Sequence, residues 1–323
     1  MEALYPLRLL GVTKSPIWGG TRLLNDWHKH SKQETVGESW ELTVRRDEMC
    51  RVTNGALSEK TLGELIDTYG KALTGASYSS KEFPLLIKFI DAGDDLSVQV
   101  HPDDSYAARV ENDRGKTEMW YIVEADTGAE LVFGLADGVD SAAFAEAVAR
   151  GKINDALYHQ PVKAGETYFI PSGMAHAIGK GILIAEIQQN CDLTYRVYDY
   201  DRRQPDGSLR ELHVEKALDV TRPFTDEEIN AIRYACSGGK AEHEDVLADC
   251  EYFRVERLKV NGACTTVPNT GKMRHLLCLG GYGTLVCDSK TYPVVKGESW
   301  LLPACLGEVS VEGELLMLVS CAN

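Results

Sequence analysis

The stretch Gly165–His176, GETYFIPSGMAH, sets a glycine, a short strand-forming run, a Pro-Ser-Gly turn and a histidine in fixed order. Gly165 suits a tight entry turn, and the ETYFI run alternates enough to bury one face of a strand. Pro171 ends ladder pairing, and Gly173 can take a backbone conformation that side chains resist. The chain then returns with His176 on a rigid element, as a metal ligand must be held. A second stretch, Gly297–Glu308, GESWLLPACLGE, keeps the glycine-to-proline spacing. It carries Cys305 in place of the turn glycine and Glu308 in place of the histidine. Two copies of one backbone device, only one of them with the histidine, predict a duplicated β architecture.

The rest of the chain agrees with a mainly β fold. ESWELTV (Glu38–Val44), EMWYIVEA (Glu118–Ala125), GILIAEIQ and TYRVYDY are short, rich in β-branched and aromatic residues, and bounded by turn formers. Helices are few. Thr61 and Glu64 form a capping box, Leu62, Leu65, Ile66 and Tyr69 share one face, and Gly70 ends the helix. Ser141–Gly151 repeats that logic with Phe144, Val148 and Gly151, and Thr225 with Glu228 opens a third helix. A boundary near Thr221–Asp226 divides the chain into 1–222 and 223–323. Past it come that third helix, a charged loop (Gly238–Glu251) and a strand-rich block from Tyr252 onward.

Bulk properties exclude several classes. A net charge of -15 over 323 residues opposes nucleic acid as a partner, although a local basic pocket could still take a small anion. No apolar run is long enough to cross a bilayer, so no membrane role is expected. The first twenty residues lack a signal architecture, and the nine cysteines contain no C-x-x-C pair. The expectation is a cytoplasmic protein whose cysteines are reduced, buried small hydrophobes. Nothing in the sequence sets the number of subunits.

The spacing G-x5-P-x-G-x2-H resembles the second box of cupin barrels at every one of those positions. Upstream, LSVQVHPDD offers Gln99 and His101 two apart, on one face of a strand, and Glu118 follows seventeen residues after His101. With His176 these give two imidazoles, a carboxylate and an amide oxygen. That set suits zinc, with other divalent metals open, and Gln99 could instead lie outside the coordination shell. The cupin resemblance implies two double-stranded β-helix (jelly-roll) barrels, the second degenerate and without metal.

IWGG, FPLLIKFIDAGDDLSVQVHPDD, GKTEMWYI, FIPSGMAHAIG and AEIQQNCDLTYRVYDYDR, in that order over roughly residues 1–215, resemble the type I mannose-6-phosphate isomerases in their short bacterial form. The resemblance implies one zinc per chain on Gln99, His101, Glu118 and His176. It also implies active-site roles for Lys116, Glu186 and Arg196, with Lys88 and Ser97 on the strand leading to the first histidine. The large helical insertion of long members has no room here. The reaction implied interconverts mannose 6-phosphate and fructose 6-phosphate through a cis-enediol. Glu186 or Lys116 would move the proton, Arg196 would steady negative charge or hold substrate, and Lys88, Ser97 and an arginine would hold phosphate. Bland readings stand beside these: surface lysines, a structural Glu186–Arg196 ion pair, and DYDRR as a solvated turn. His28, His30, His159, His213, His243 and His275 are read as structural or exposed. Rival functions are a cupin of another reaction class, such as a dioxygenase marked by iron and oxygen uptake, and a non-catalytic sugar-binding cupin.

Overall fold

The computed structural model of the protein describes residues 2–225, 227–229, 231–232 and 246–323. His243, Cys236 and most of the expected third helix and charged loop lie outside them. Thr225 and Glu228 do exchange the hydrogen bonds of a capping box. Among the described residues no helix is long and apolar enough to cross a membrane.

Two sheets face each other around an apolar cluster that includes Ile90, Trp120, Ile122, Leu131, Phe133, Ile178 and Ile184. One is six-stranded: Thr167–Ile170, Glu118–Ala125, Ile182–Gln189, Leu85–Asp91, Glu38–Leu42 and Val12–Lys14, in spatial order. The other is five-stranded: Leu157–Pro161, Glu130–Leu135, His176–Ile178, Val98–Val100 and Tyr195–Tyr198. Each large side chain in this cluster contributes roughly 1.5–3 kcal/mol by leaving water. These antiparallel sheets form the expected first barrel.

The six-stranded sheet is covered on both sides. Lys88, Ile90, Trp120 and Glu186 face the barrel interior. Their neighbours Ile87, Phe89, Met119, Tyr121, Ala185 and Ile187 join a second cluster with Leu277, Leu301 and Leu318 of the C-terminal half. A nine-stranded sheet there encloses a third cluster, built on Leu276, Cys278, Leu285, Val294, Trp300 and Met317. Leu7–Leu10 and Arg51–Val52 complete that sheet, so its hydrogen bonding reaches across residue 222 into the N-terminal part of the chain.

Local expectations survive with adjustments. The Leu62–Tyr69 helix carries its Thr61/Glu64 capping box and ends at Gly70. The Ser141–Ala149 helix is capped one residue earlier than its sequence suggests, by Asp140, whose carboxylate accepts from the Ala143 N–H. Lys88 and Ser97 do not share a strand. Leu85–Asp91 and Val98–Val100 belong to different sheets. Gly93 lies in the turn between them, where a Cβ would come 2.7 Å from the Gly19 carbonyl oxygen. Nor are all cysteines buried: the eight described are free, but Cys264 and Cys305 are exposed.

The echo of the first box keeps its backbone. Gly297 has φ +86°, as Gly165 has +91°. Glu308, however, is exposed, whereas His176 is fully buried. Close by, His275 is buried with its Nε2 2.7 Å from Ser299 Oγ. Burial, assisted by the charge of Lys29, pulls its pKa down to about 3. The unfolded state, with an ordinary imidazole, therefore binds more protons between about pH 6.5 and pH 3. Stability from neutral His275 is full above that window and is lost as pH falls through it. We expect His275→Gln to show a flatter fall in urea midpoint between pH 6.5 and 4. Parallel wild-type and variant curves would remove His275 as a source of acid sensitivity.

Candidate metal centre

Strand register brings the site together. In the five-stranded sheet Gln99 is flanked by His176 on one side and Arg196 on the other. In the facing sheet Trp40, Lys88, Glu186 and Trp120 form a cross-strand row, and Glu118 pairs with Gln188 beside it. Gly173, at φ +84°, turns the chain so that His176 enters its strand buried. His101 and Lys116 sit just outside strand ends, on segments joined by the Lys116 N–H bond to the Pro102 carbonyl.

His101, Glu118 and His176 are the one group of three or more such side chains, among the described residues, whose donor atoms converge, all within 4.8 Å. The two Nε2 atoms are 3.1 Å apart, and Glu118 oxygens lie 3.5 Å from His176 Nε2 and 3.7 Å from His101 Nε2. Tetrahedral coordination with bonds of about 2.0–2.1 Å requires donors about 3.3–3.4 Å apart, so the set fits a zinc-sized ion. His176 Nδ1 donates to the Met174 carbonyl at 2.8 Å, which leaves Nε2 with its lone pair toward the cluster. Both Glu118 oxygens are buried, and apart from the Lys116 ammonium beside Oε2 they face only the two imidazoles, a setting in which a carboxylate can meet a metal cation. The Gln99 amide reaches the same place, 3.4 Å from His176 Nε2, and the opposite amide orientation would present its oxygen.

Charge around these donors is dense. Lys116 Nζ stands 2.9 Å from both His101 Nε2 and Glu118 Oε2, and 4.0 Å from Glu186 Oε1. Lys88 Nζ lies 3.3 Å from Glu186 Oε2 and 3.7 Å from Glu38 Oε2. Burial opposes ionisation of Lys88, Glu118, Glu186, His101 and His176. For Glu186 the ammoniums of Lys88 and Lys116 outweigh burial and hold the carboxyl below its usual value. Burial dominates at Glu118 and pushes its carboxyl up to about 8. A divalent cation reverses that, because its charge favours the carboxylate. Burial also drives the His176 imidazole down to about 3 and His101 well below its usual range. Both are neutral ligands near pH 7.

Arg196 belongs to another part of the site. Its Nε donates to Ser97 Oγ at 3.2 Å and its Nη1 to the Glu211 carbonyl at 2.7 Å. It makes no ion pair with Glu186, so that alternative is set aside. DYDRR is a turn with Asp201 and Arg203 exposed, but it is not wholly solvated: Arg202 is partly buried, and with Arg210 it donates to the buried Asp199 carboxylate. The sequence reading missed Glu38, Trp40 and Asp199. Trp40 Nε1 donates to Glu38 at 2.7 Å, and the Lys88 ammonium lies over the Trp40 ring. The only sequence signal was Glu38 and Trp40 sharing one face of a strand.

Known proteins resemble the chain along its length. The family model for the type I phosphomannose isomerase catalytic domain matches residues 7–145, and that for the mannose-6-phosphate isomerase cupin domain matches residues 243–322. Mannose-6-phosphate isomerase ManA of Bacillus subtilis is 37% identical over 98% of both chains. The mannose-6-phosphate isomerase of Streptococcus mutans is 36% identical over 98% of both. A crystal structure of the mannose 6-phosphate isomerase from Bacillus subtilis superimposes with a TM-score of 0.87 at 32% identity, covering 98% of this chain and 99% of that one. Sheet order, converging donors and full-length similarity agree: the chain belongs to the type I phosphomannose isomerase family.

Proposed function

We propose that this protein is a mannose-6-phosphate isomerase, interconverting mannose 6-phosphate and fructose 6-phosphate with one zinc ion per chain. Gln99, His101, Glu118 and His176 would hold the ion. The bound ion would supply positive charge that stabilises the oxyanions arising as the carbonyl shifts between C1 and C2. The observation that carries the reading is a buried Lys88–Glu186–Lys116–Glu118 row directly beside the converging donors. A redox-inert proton transfer needs such a row; sugar binding alone does not.

In the forward direction the C2 proton leaves to a base and the C1 carbonyl oxygen gains a proton, which gives the cis-enediol. Loss of the O2 proton and protonation at C1 then complete the ketose. Glu186 suits the base, since two lysines keep it ionised within a buried site. Lys116 would then balance charge between Glu186 and the ligand residues and relay protons to oxygen. Arg196, locked to Ser97, would hold the anionic end of the substrate, with Arg202 and Arg210 adding positive potential. Lys88 is engaged by two carboxylates, so its role here is to fix Glu186 and to bond a sugar hydroxyl. We place the enzyme in the cytoplasm, where its free cysteines stay reduced.

A coupled assay of fructose 6-phosphate formation tests the proposal, with unphosphorylated mannose as control. Mannose 6-phosphate should turn over, and mannose should react at least about 10²-fold more slowly in kcat/KM, for lack of charge-assisted contacts. Equal rates with both sugars, or no turnover of either, would refute it. Arg196→Met should cut kcat/KM by about 10²-fold or more and leave zinc content unchanged. A variant with wild-type kinetics would remove Arg196 from the site.

A further inference from the structure

The second barrel holds a guanidinium with no counter-charge. Arg274 is 2% exposed and shares its strand face with Leu276 and Cys278, which belong to the cluster filling that barrel. Its Nη1 donates to the carbonyls of Val267 and Pro268. Its Nε and Nη2 are buried and have no partner. Among the described residues no carboxylate pairs with it; the groups that modulate its charge, besides burial itself, are the thiols of Cys287 and Cys321. The nearby Arg254 differs, since Asp249 and Glu256 neutralise it. Leaving a buried cation edge unpaired is costly in a folded chain, and such groups are retained where something binds them.

Arg274 lines a cavity of about 200 Å³ whose other walls include the Arg254–Glu256 ion pair, Arg257, Leu258, Val267, Pro268 and Val319. We propose that this cavity is a second ligand site, separate from the metal centre, and that it takes a small organic monocarboxylate with a short apolar body. Three features select that class. Nε–H and Nη2–H lie along one edge of the guanidinium, a planar two-pronged donor that matches a carboxylate. One unmatched positive charge calls for one negative charge. Leu258, Val267, Pro268 and Val319 give the cavity an apolar side beside its charged edge, which favours a hydrocarbon body over a bare inorganic ion. The two carbonyls hold Nη1, and the Nε–Nη2 edge is closed to solvent, so binding requires the side chain to turn toward the cavity it lines.

The test uses isobutyrate as probe, with isobutyramide as its neutral counterpart and inorganic phosphate as a tetrahedral anion. All three are titrated against the chelator-treated, metal-free protein, so that binding at the metal centre does not contribute. Isobutyrate should raise Tm saturably, by roughly 1–3 °C at ten times its Kd, and isobutyramide should not. Arg274→Met should abolish the response while melting at or above the wild-type temperature without ligand, because it removes an unpaired buried charge. Should that variant fail to fold, Arg274→Lys keeps the charge but lacks the fork, and should weaken Kd at least tenfold. The proposal is overturned by no saturable response in the wild type, by an equal response in both variants, or by a larger response to phosphate than to isobutyrate. None of these readouts depends on isomerase turnover.

Discussion

Alanine at His176 is expected to lower bound metal from one ion per chain to roughly a tenth or less, and kcat/KM for mannose 6-phosphate by about 10³-fold or more. The imidazole supplies one of three donors whose atoms lie within 4.8 Å, and the Met174 carbonyl fixes its tautomer. Alanine leaves Glu118 facing only Lys116 and His101, one imidazole short of the donor set. Lost stabilisation of the developing oxyanion, several kcal/mol, sets the scale of the rate effect. Far-UV circular dichroism should stay close to wild type, since His176 is a single residue at a strand end. Retained metal together with retained turnover would show that the ion is held elsewhere.

Glu186→Gln separates proton transfer from metal binding. The amide keeps the shape and bonding reach of the side chain but cannot accept a proton near neutral pH. We expect kcat to fall by about 10²–10⁴-fold with metal content at one ion per chain and KM within about threefold of wild type. Lys88 loses its nearer carboxylate, at 3.3 Å, but keeps Glu38 at 3.7 Å, so the barrel should remain folded. If kcat is unchanged in Glu186→Gln and collapses in Lys116→Met, the base is Lys116. If both variants lose metal, the row serves the ligand shell and not the proton.

What could be read from sequence was whatever depends on local spacing. His176 follows from one glycine-proline-glycine rhythm, and Gln99 with His101 from a two-residue period on a strand. The capping boxes are likewise local. Three features were hidden for physical reasons. The six-stranded sheet is buried on both faces, so ILIAEIQQ shows no in-out alternation and says nothing about where Glu186 points. Glu38 and Glu41 lie on opposite faces of one short strand, and only the register of Trp40 with Lys88 puts Glu38 at the site. Leu7–Leu10 pairs with Ser299–Leu302 almost the whole chain away, and no short-range signal encodes such a partner. The break between Lys88 and Ser97, by contrast, has a local signal in DAGDD (Asp91–Asp95), residues that strands disfavour. The close approach of Gly93 to Gly19 becomes visible only once the chain is folded.

The account stands most directly on titrating zinc into chelator-stripped protein while counting bound ions by elemental analysis and measuring mannose 6-phosphate turnover in the same samples. Activity should be absent at the start, climb in proportion to occupancy, and level off at one ion per chain. Full turnover at an occupancy near zero would contradict it.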